Sequence, residues 1–277
     1  MDPFKRLAIN FLSRQRNLRR AQSLFQIASR SLGLGGSPDI RESGEVCFLN
    51  RYLASVPTAP VVFDVGANRG EYALASLSIR PDAQVVAFEP NPELAAALLK
   101  IASPNLKVVQ AACADAEDEA TLYTEARSAG SGFATLVPET LTLHGVREIA
   151  QHRVRTLRLD DFMRREGFSR VDLLKLDAEG YELKILSGLG PALAQHAIRC
   201  VQFEFNAGHA LARTFLRDFQ RVLSGYGLFR LTPYGMVPLG SYRPETWELY
   251  FQQNIVALLP EAEAAMARGS APQRARS

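Results

Sequence analysis

The chain has 277 residues and a formal net charge of +3, with 47% hydrophobic and 22% charged residues. That balance excludes a disordered chain and supplies material for one sizeable α/β core. The slight charge gives no argument for nucleic acid as a partner, and no apolar run reaches the length of a membrane span or a signal-peptide core.

Residues 1–45 read as a basic amphipathic helical extension. Lys5, Arg6, Arg14, Arg16, Arg19, Arg20 and Arg30 fall between Pro3 and Pro38 without an acid, while Phe4, Leu7, Phe11, Leu18, Phe25 and Leu32 recur near helical spacing. One helix or two are expected, ended by Gly33, Gly35 and Gly36. The preferred expectation packs the apolar stripe on the main domain or on a second subunit in a homodimer. The alternative is peripheral contact of residues 4–32 with an anionic membrane surface.

Residues 46–260 read as one domain in which strands alternate with helices, the pattern of a mostly parallel sheet covered on both faces. VVFDV is followed by a helix from about Gly70, QVVAFE by a helix over Glu93–Ile101, and LKVVQAA by the strand-like pieces EATLYTE and HRVRTLRL. The polar run ARSAGSGF between those pieces reads as a loop or lid. VDLLKLD leads into a helix over Tyr181–Gln195, CVQFEFN into a helix over His209–Leu223, and GLFRLT with ELYFQQNIVALL suits a closing antiparallel pair. Residues 261–277 read as a flexible tail. Cys47, Cys113 and Cys200 are far apart, and their usage fits reduced thiols in a cytoplasmic protein, with the inner membrane surface as the alternative location.

In open α/β sheets ligands gather at the carboxyl ends of the strands. Asp64, Glu89, Cys113–Asp115, Asp177–Gly180 and Glu204–Asn206 stand at those ends. Asp64 opens the loop D-x-G-x-N-x-G through Gly66, Asn68 and Gly70, and Glu89 closes the second strand, where it can accept from two ribose hydroxyls. Asn68 replaces the glycine that brings pyrophosphate close in dinucleotide sites, so the loop suits a cofactor without pyrophosphate. For Asp115 and Asp160 a helix-capping role competes evenly.

DVGANRG, FEP, LRLDDF, VDLLKLDAEGYELKILSGL and QFEFN together resemble the FkbM-type family of S-adenosylmethionine-dependent methyltransferases over roughly residues 45–260. The most specific element is K-x-D-x-E-G-x-E, matched by Lys175, Asp177, Glu179, Gly180 and Glu182. The resemblance implies a Rossmann-like class I methyltransferase fold, its seven-stranded, mostly parallel sheet ending in an antiparallel strand, and transfer of a methyl group from S-adenosyl-L-methionine to a hydroxyl of a sugar, glycan or related natural product. It further implies that Asp64 and Gly66 to Gly70, with Asn68, surround the methionine part, that Glu89 holds the ribose, and that Ala114 and Asp115 lie beside the adenine.

Methyl transfer to an alcohol needs alignment and an acceptor for the hydroxyl proton. Asp177 or His209 is the expected base, with Glu179 and Glu204 positioning substrate or loop. Asp177, Glu179 and Glu204 could converge on a hard cation, but spacing does not require one, and no metal is expected. Arg213, Arg217 and Arg221 would suit an anionic acceptor if their stripe bordered the site, and the loops 126–151 and 233–248 are the expected acceptor walls. His144, His152 and His196 receive no role. Two other classes stay open: a nicotinamide-dependent oxidoreductase on the same sheet, and a non-catalytic peripheral membrane or scaffold protein.

Overall fold

The computed structural model describes residues 2–37, 39–126, 134–143 and 145–269. Two amphipathic helices come first, α1 (Pro3–Leu12) and α2 (Leu18–Ser31), joined by a 3-10 turn. Asp2 caps α1 by accepting the Phe4 amide, and the Asn17 side chain closes the turn on the Phe11 carbonyl at 2.8 Å. α3 (Glu45–Ser55) buries Phe48, Leu49, Tyr52 and Leu53 against the body.

Alternation then builds the first half of the main sheet. β1 (Val61–Val65), α4 (Glu71–Ile79), β2 (Gln84–Phe88), α5 (Pro92–Leu98) and β3 (Leu106–Val109) follow one another, with β1–β2 and β2–β3 both parallel. A small second sheet comes next, from β4 (Ala112–Cys113), β5 (Glu119–Glu125), β6 (Ala134–Thr135) and β7 (Ile149–Leu157), in the order β4-β7-β5-β6, with α6 (Glu139–Leu143) between its last two strands. α7 (Leu159–Glu166) returns the chain to β8 (Leu173–Leu176). α8 (Glu182–Gly188) and α9 (Gly190–Ala194) lead to β9 (Cys200–Phe205), and α10 (Ala207–Leu211) and α11 (Leu216–Val222) to β10 (Gly227–Thr232). β11 (Gly235–Pro238), α12 (Pro244–Trp247), β12 (Gln253–Leu258) and α13 (Pro260–Gly269) complete the chain order.

The main sheet runs β11-β10-β12-β9-β8-β1-β2-β3, with β12 antiparallel to both neighbours. This is the expected Rossmann-like arrangement with one addition. Residues 233 and 234 turn β10 back on itself and add β11 as an eighth, edge strand. β8, β9 and β12 are buried at every residue because helices cover both faces, which is why they read as continuous apolar runs. One face packs Phe63 and Phe88 edge-to-face against Phe162, and the other carries Leu49, Tyr52 and Ala73.

Several boundaries differ from expectation, each for a local reason. LKVVQAA is two strands, since β3 ends at Val109 and β4 pairs instead with β7. The helix expected over 181–195 breaks at Leu189, before Pro191. The one expected over 209–223 breaks at Arg213, whose φ is +55°. The last strand begins at Gln253, since the preceding residues form α12 and a short loop. Residues 261–269 are no frayed tail: they lie in α13, which buries Ala262 and Met266 in the cluster that holds α3. ARSAGSGF falls almost wholly, and His144 entirely, outside the described residues.

Candidate active site

The order of the main sheet reverses between β1 and β8, and a cavity of about 880 Å³ opens at their carboxyl ends. Its first wall is the loop after β1. The Phe88 carbonyl accepts the Gly66 and Ala67 amides, and the Ala67 carbonyl accepts the Gly70 amide at 2.7 Å. Gly66 has φ +77°, and a Cβ there would lie 1.9 Å from the Asp177 carbonyl oxygen, so the β1 and β8 mouths meet backbone to backbone. Asn68 also adopts a left-handed conformation, φ +50°.

Glu89 ties this loop to β2. It accepts the Asn68 amide at 2.7 Å on one oxygen and the Asn91 amide at 2.8 Å on the other. Burial raises its pKa, opposed by those two amides. Each carboxylate oxygen keeps a lone pair, so two further donors fit. Asp64 and Asn68 hold the unmet demand. Asp64 Oδ2 and Asn68 Oδ1 are buried without a hydrogen-bond partner, and burial pushes the Asp64 carboxyl up to about 7, with Lys175 pulling the other way. Two orphaned acceptors on a cavity wall match a ligand that brings donors, one of them cationic.

The second wall is a carboxylate cluster built around Lys175. Lys175 stands beside Asp64 in the β1–β8 register, and its ammonium lies 3.2 Å from Asp177 Oδ2 and 3.6 Å from Glu45 Oε1. Burial alone would lower its pKa, but Asp177, Glu45, Glu204 and Asp64 together hold it protonated, above its ordinary range. Asn206 donates to Glu204 Oε1 at 2.8 Å and, at 3.5 Å, to Glu179 Oε2. Burial, then the Asp177 charge, pushes Glu204 up to about 8. Glu179 is likewise raised well above the carboxylate range, by burial and then by Asp177, Glu204 and Glu182. Among the described residues no group of three has the arrangement to hold a metal ion.

The cavity therefore gathers Asp64, Gly66, Asn68, Glu89, Asp177, Glu179 and Glu204. Gly70 stands behind it, starting α4 at φ +81°. Three expected residues are elsewhere. His209 is fully buried as part of a capping box: its Nδ1 accepts the Asn206 amide at 3.2 Å, and its Nε2 lies 2.9 Å from Glu182 Oε2. Its ring is thus turned away from the cavity. Ala114 packs under the end of α8, where a Cβ on Gly188 would come 2.7 Å from the Ala114 carbonyl oxygen, and Asp115 is exposed. Ala111, Ala112 and Cys113 line the cavity in their place, because β3 ends sooner than the apolar run suggests.

The acceptor walls also shift. Ala134, Thr135, Leu136 and Leu143 line the cavity from the expected 126–151 region, but nothing from 233–248 does; Tyr250 and Gln252 stand there instead. The 233–248 segment is committed to the sheet edge and to burying Trp247, whose Nε1 donates to the Leu239 carbonyl. Arg213, Arg217 and Arg221 do not border the cavity: Arg217 stacks on Tyr242 and Arg221 pairs with Asp218.

Besides Lys175, two contributors were given no role by the sequence. Glu45 comes from α3, ahead of the glycine loop, and is held by Ser43 and Gln202. Glu182 accepts the Ala178 and Gly180 amides at 2.7 and 2.9 Å and so pins the loop that carries Asp177 and Glu179. Burial works against its charge, yet His209 and these hydrogen bonds hold its pKa below the usual range.

Residues 64–225, from Asp64 through the glycine loop and both carboxylate mouths, match the methyltransferase FkbM domain. The chain belongs to the FkbM methyltransferase family. Methyltransferase sdnD of Sordaria araneosa is 33% identical to this FkbM-family chain over 165 residues, covering 50% of the chain and 63% of that protein. The 2-O-methyltransferase NoeI of Sinorhizobium fredii is 29% identical over 145 residues, 47% of the chain and 57% of NoeI. AMB antimetabolite synthetase AmbE of Pseudomonas aeruginosa is 33% identical over 168 residues, 50% of the chain but only 8% of that much longer protein. The chain thus spans less than two thirds of these relatives. Among solved structures, a METTL16 methyltransferase domain superposes with a TM-score of 0.46 at 12% identity, covering 84% of this chain and 76% of that one.

Proposed function

We propose that this FkbM-family protein transfers a methyl group from S-adenosyl-L-methionine to a hydroxyl of a polyhydroxylated acceptor, such as a sugar unit of a glycan or a related natural product. The observation that carries the reading is the pairing, within one cavity, of two orphaned acceptors beside a glycine loop with a high-pKa carboxylate pair across from them. When bound, S-adenosyl-L-methionine supplies a methyl already activated on a sulfonium.

The chain's residues supply binding, alignment and proton removal. Asp64 would receive the cofactor ammonium on its unpartnered oxygen, Glu89 the ribose hydroxyls on its spare lone pairs, and Ala111 to Cys113 would flank the adenine. An alcohol attacks well only as it loses its proton. Asp177 is engaged by Lys175 and His209 is turned inward, so Glu204 is the better base: buried, hydrogen-bonded by Asn206 and basic near pH 8. Glu179, on the same Asn206, orients the acceptor. Buried carboxyl groups and Asn206 exchange hydrogen bonds with sugar hydroxyls, which favours a polyhydroxylated acceptor, and the name of NoeI, a 2-O-methyltransferase, supports an oxygen target.

Glu204→Gln tests the assignment, since Gln keeps an oxygen for Asn206 but cannot take a proton. Turnover should fall about 10²–10⁴-fold, the range for a lost general base, while affinity for S-adenosylhomocysteine stays within about twofold. The wild-type rate should climb through about pH 8 as Glu204 loses its proton. Equal loss of turnover and product affinity would make Glu204 a structural residue.

A further inference from the structure

We infer that α1 and α2 form a docking surface for an anionic phospholipid membrane, a role separate from the chemistry of the cavity. The apolar stripe of these helices is mostly uncovered, although the Phe25 ring meets Phe251 of the body at 5.9 Å. α1 has no buried residue, and Phe4, Leu7, Leu24 and Phe25 are 76%, 70%, 52% and 58% exposed. Eight of the eighteen large exposed hydrophobics of the described residues lie on these two short helices, and Leu32, which ends α2, is a ninth. A contiguous apolar patch of this kind marks an interaction surface.

Charge selects the occupant. Seven cations and no acid lie between Pro3 and Pro38, whereas the chain as a whole carries only +3, so the rest of the molecule is net acidic. An interfacial helix with an apolar stripe and a Lys/Arg-rich polar face sits in the headgroup region, and each cation adds attraction to an anionic surface. No helix among the described residues is long and apolar enough to cross a membrane, so the contact is peripheral. A second copy docked through the same face would set seven cations against seven, a repulsion the membrane surface turns into attraction.

The attachment to the body is firm where the helices end. A Cβ on Gly33 would lie 1.8 Å from the Leu231 carbonyl oxygen, and the Gly35 and Gly36 amides both donate to the Gln252 carbonyl. Gln252, Ser37 and Ile40 line the cavity. A membrane held by α1 and α2 is therefore anchored beside the substrate cavity.

Flotation of the full chain with vesicles tests this. The protein should float with phosphatidylcholine vesicles containing about a third phosphatidylglycerol, and at least about tenfold less with phosphatidylcholine alone, with binding weakening as salt rises. Leu7→Glu/Leu24→Glu and Arg19→Gln/Arg20→Gln should each reduce binding about tenfold or more, with melting temperature unchanged as the check on folding. The inference is overturned if wild-type protein ignores the anionic vesicles at low salt, or if Leu7→Glu/Leu24→Glu floats as well as wild type. It is equally overturned if sedimentation shows a dimer that this double variant dissociates while neither form binds vesicles, the outcome of a second copy covering the stripe.

Discussion

Asp64 is almost wholly buried and carries one unpartnered oxygen, and burial pushes its carboxyl up to about 7, so it holds a proton far more readily than an ordinary carboxylate before any ligand arrives. A ligand ammonium would pull that pKa down, and below pH 7 binding must first release the proton. Affinity for S-adenosylhomocysteine should therefore be level above about pH 7.5 and fall toward tenfold per pH unit below about 6.5. Asp64→Asn should bind more weakly and lose that dependence. A flat wild-type profile between pH 5.5 and 8 would break the ammonium assignment.

Residues whose place on the cavity wall depends only on their neighbours in sequence were legible, as Asp64, Gly66 and Glu89 illustrate. His209 was not, because its position after β9 looks the same whether the ring faces the cavity or folds back to cap α10. Lys175 carried a signal that went unused: a lysine flanked by leucines in a buried strand must find counter-charges inside. Glu45 carried none, since it reaches the cluster across 130 residues of chain from Lys175.

At the scale of elements, β1 and β8 meet so closely that Gly66 has no room for a side chain. Gly66→Ala combines a left-handed φ with a clash against the Asp177 backbone, and it should cost about 2–4 kcal/mol of stability, read as a lower denaturation midpoint. A midpoint within experimental error of wild type would show that the two mouths can separate. The strands of the main sheet were legible as apolar runs, whereas their ends were not. Where β3 stops is set by pairing with β2, and β4 leaves for a partner, β7, more than forty residues later. No local pattern marks that change of sheet, and it moves the cavity lining from Ala114 and Asp115 to Ala111 through Cys113. The breaks at Leu189 and Arg213 are tertiary in the same way, though Pro191 hinted at the first.

For the whole molecule, the alternation of strands and helices and the final antiparallel strand were readable because each element is long enough to show its own period. The edge strand β11 and the burial of α13 were not, as both depend on surfaces presented by distant parts of the chain. Most of the apolar stripe of α1 and α2 is left uncovered by the main domain, one of the two surfaces expected to cover it, the other being a second subunit. At its centre the fold joins the glycine-loop wall, Asp64 through Glu89, to the carboxylate wall, Asp177 through Glu204, and the proposed function makes the first the binding half and the second the proton-accepting half. Calorimetric titration with S-adenosylhomocysteine at pH 8, on wild type and Glu89→Ala, tests that union most directly. The wild type should bind at one site, and Glu89→Ala should lose about 1.5–3 kcal/mol, roughly ten- to over a hundredfold in affinity, while remaining folded. Binding of NADH with no heat from S-adenosylhomocysteine, or unchanged affinity in Glu89→Ala, would contradict it.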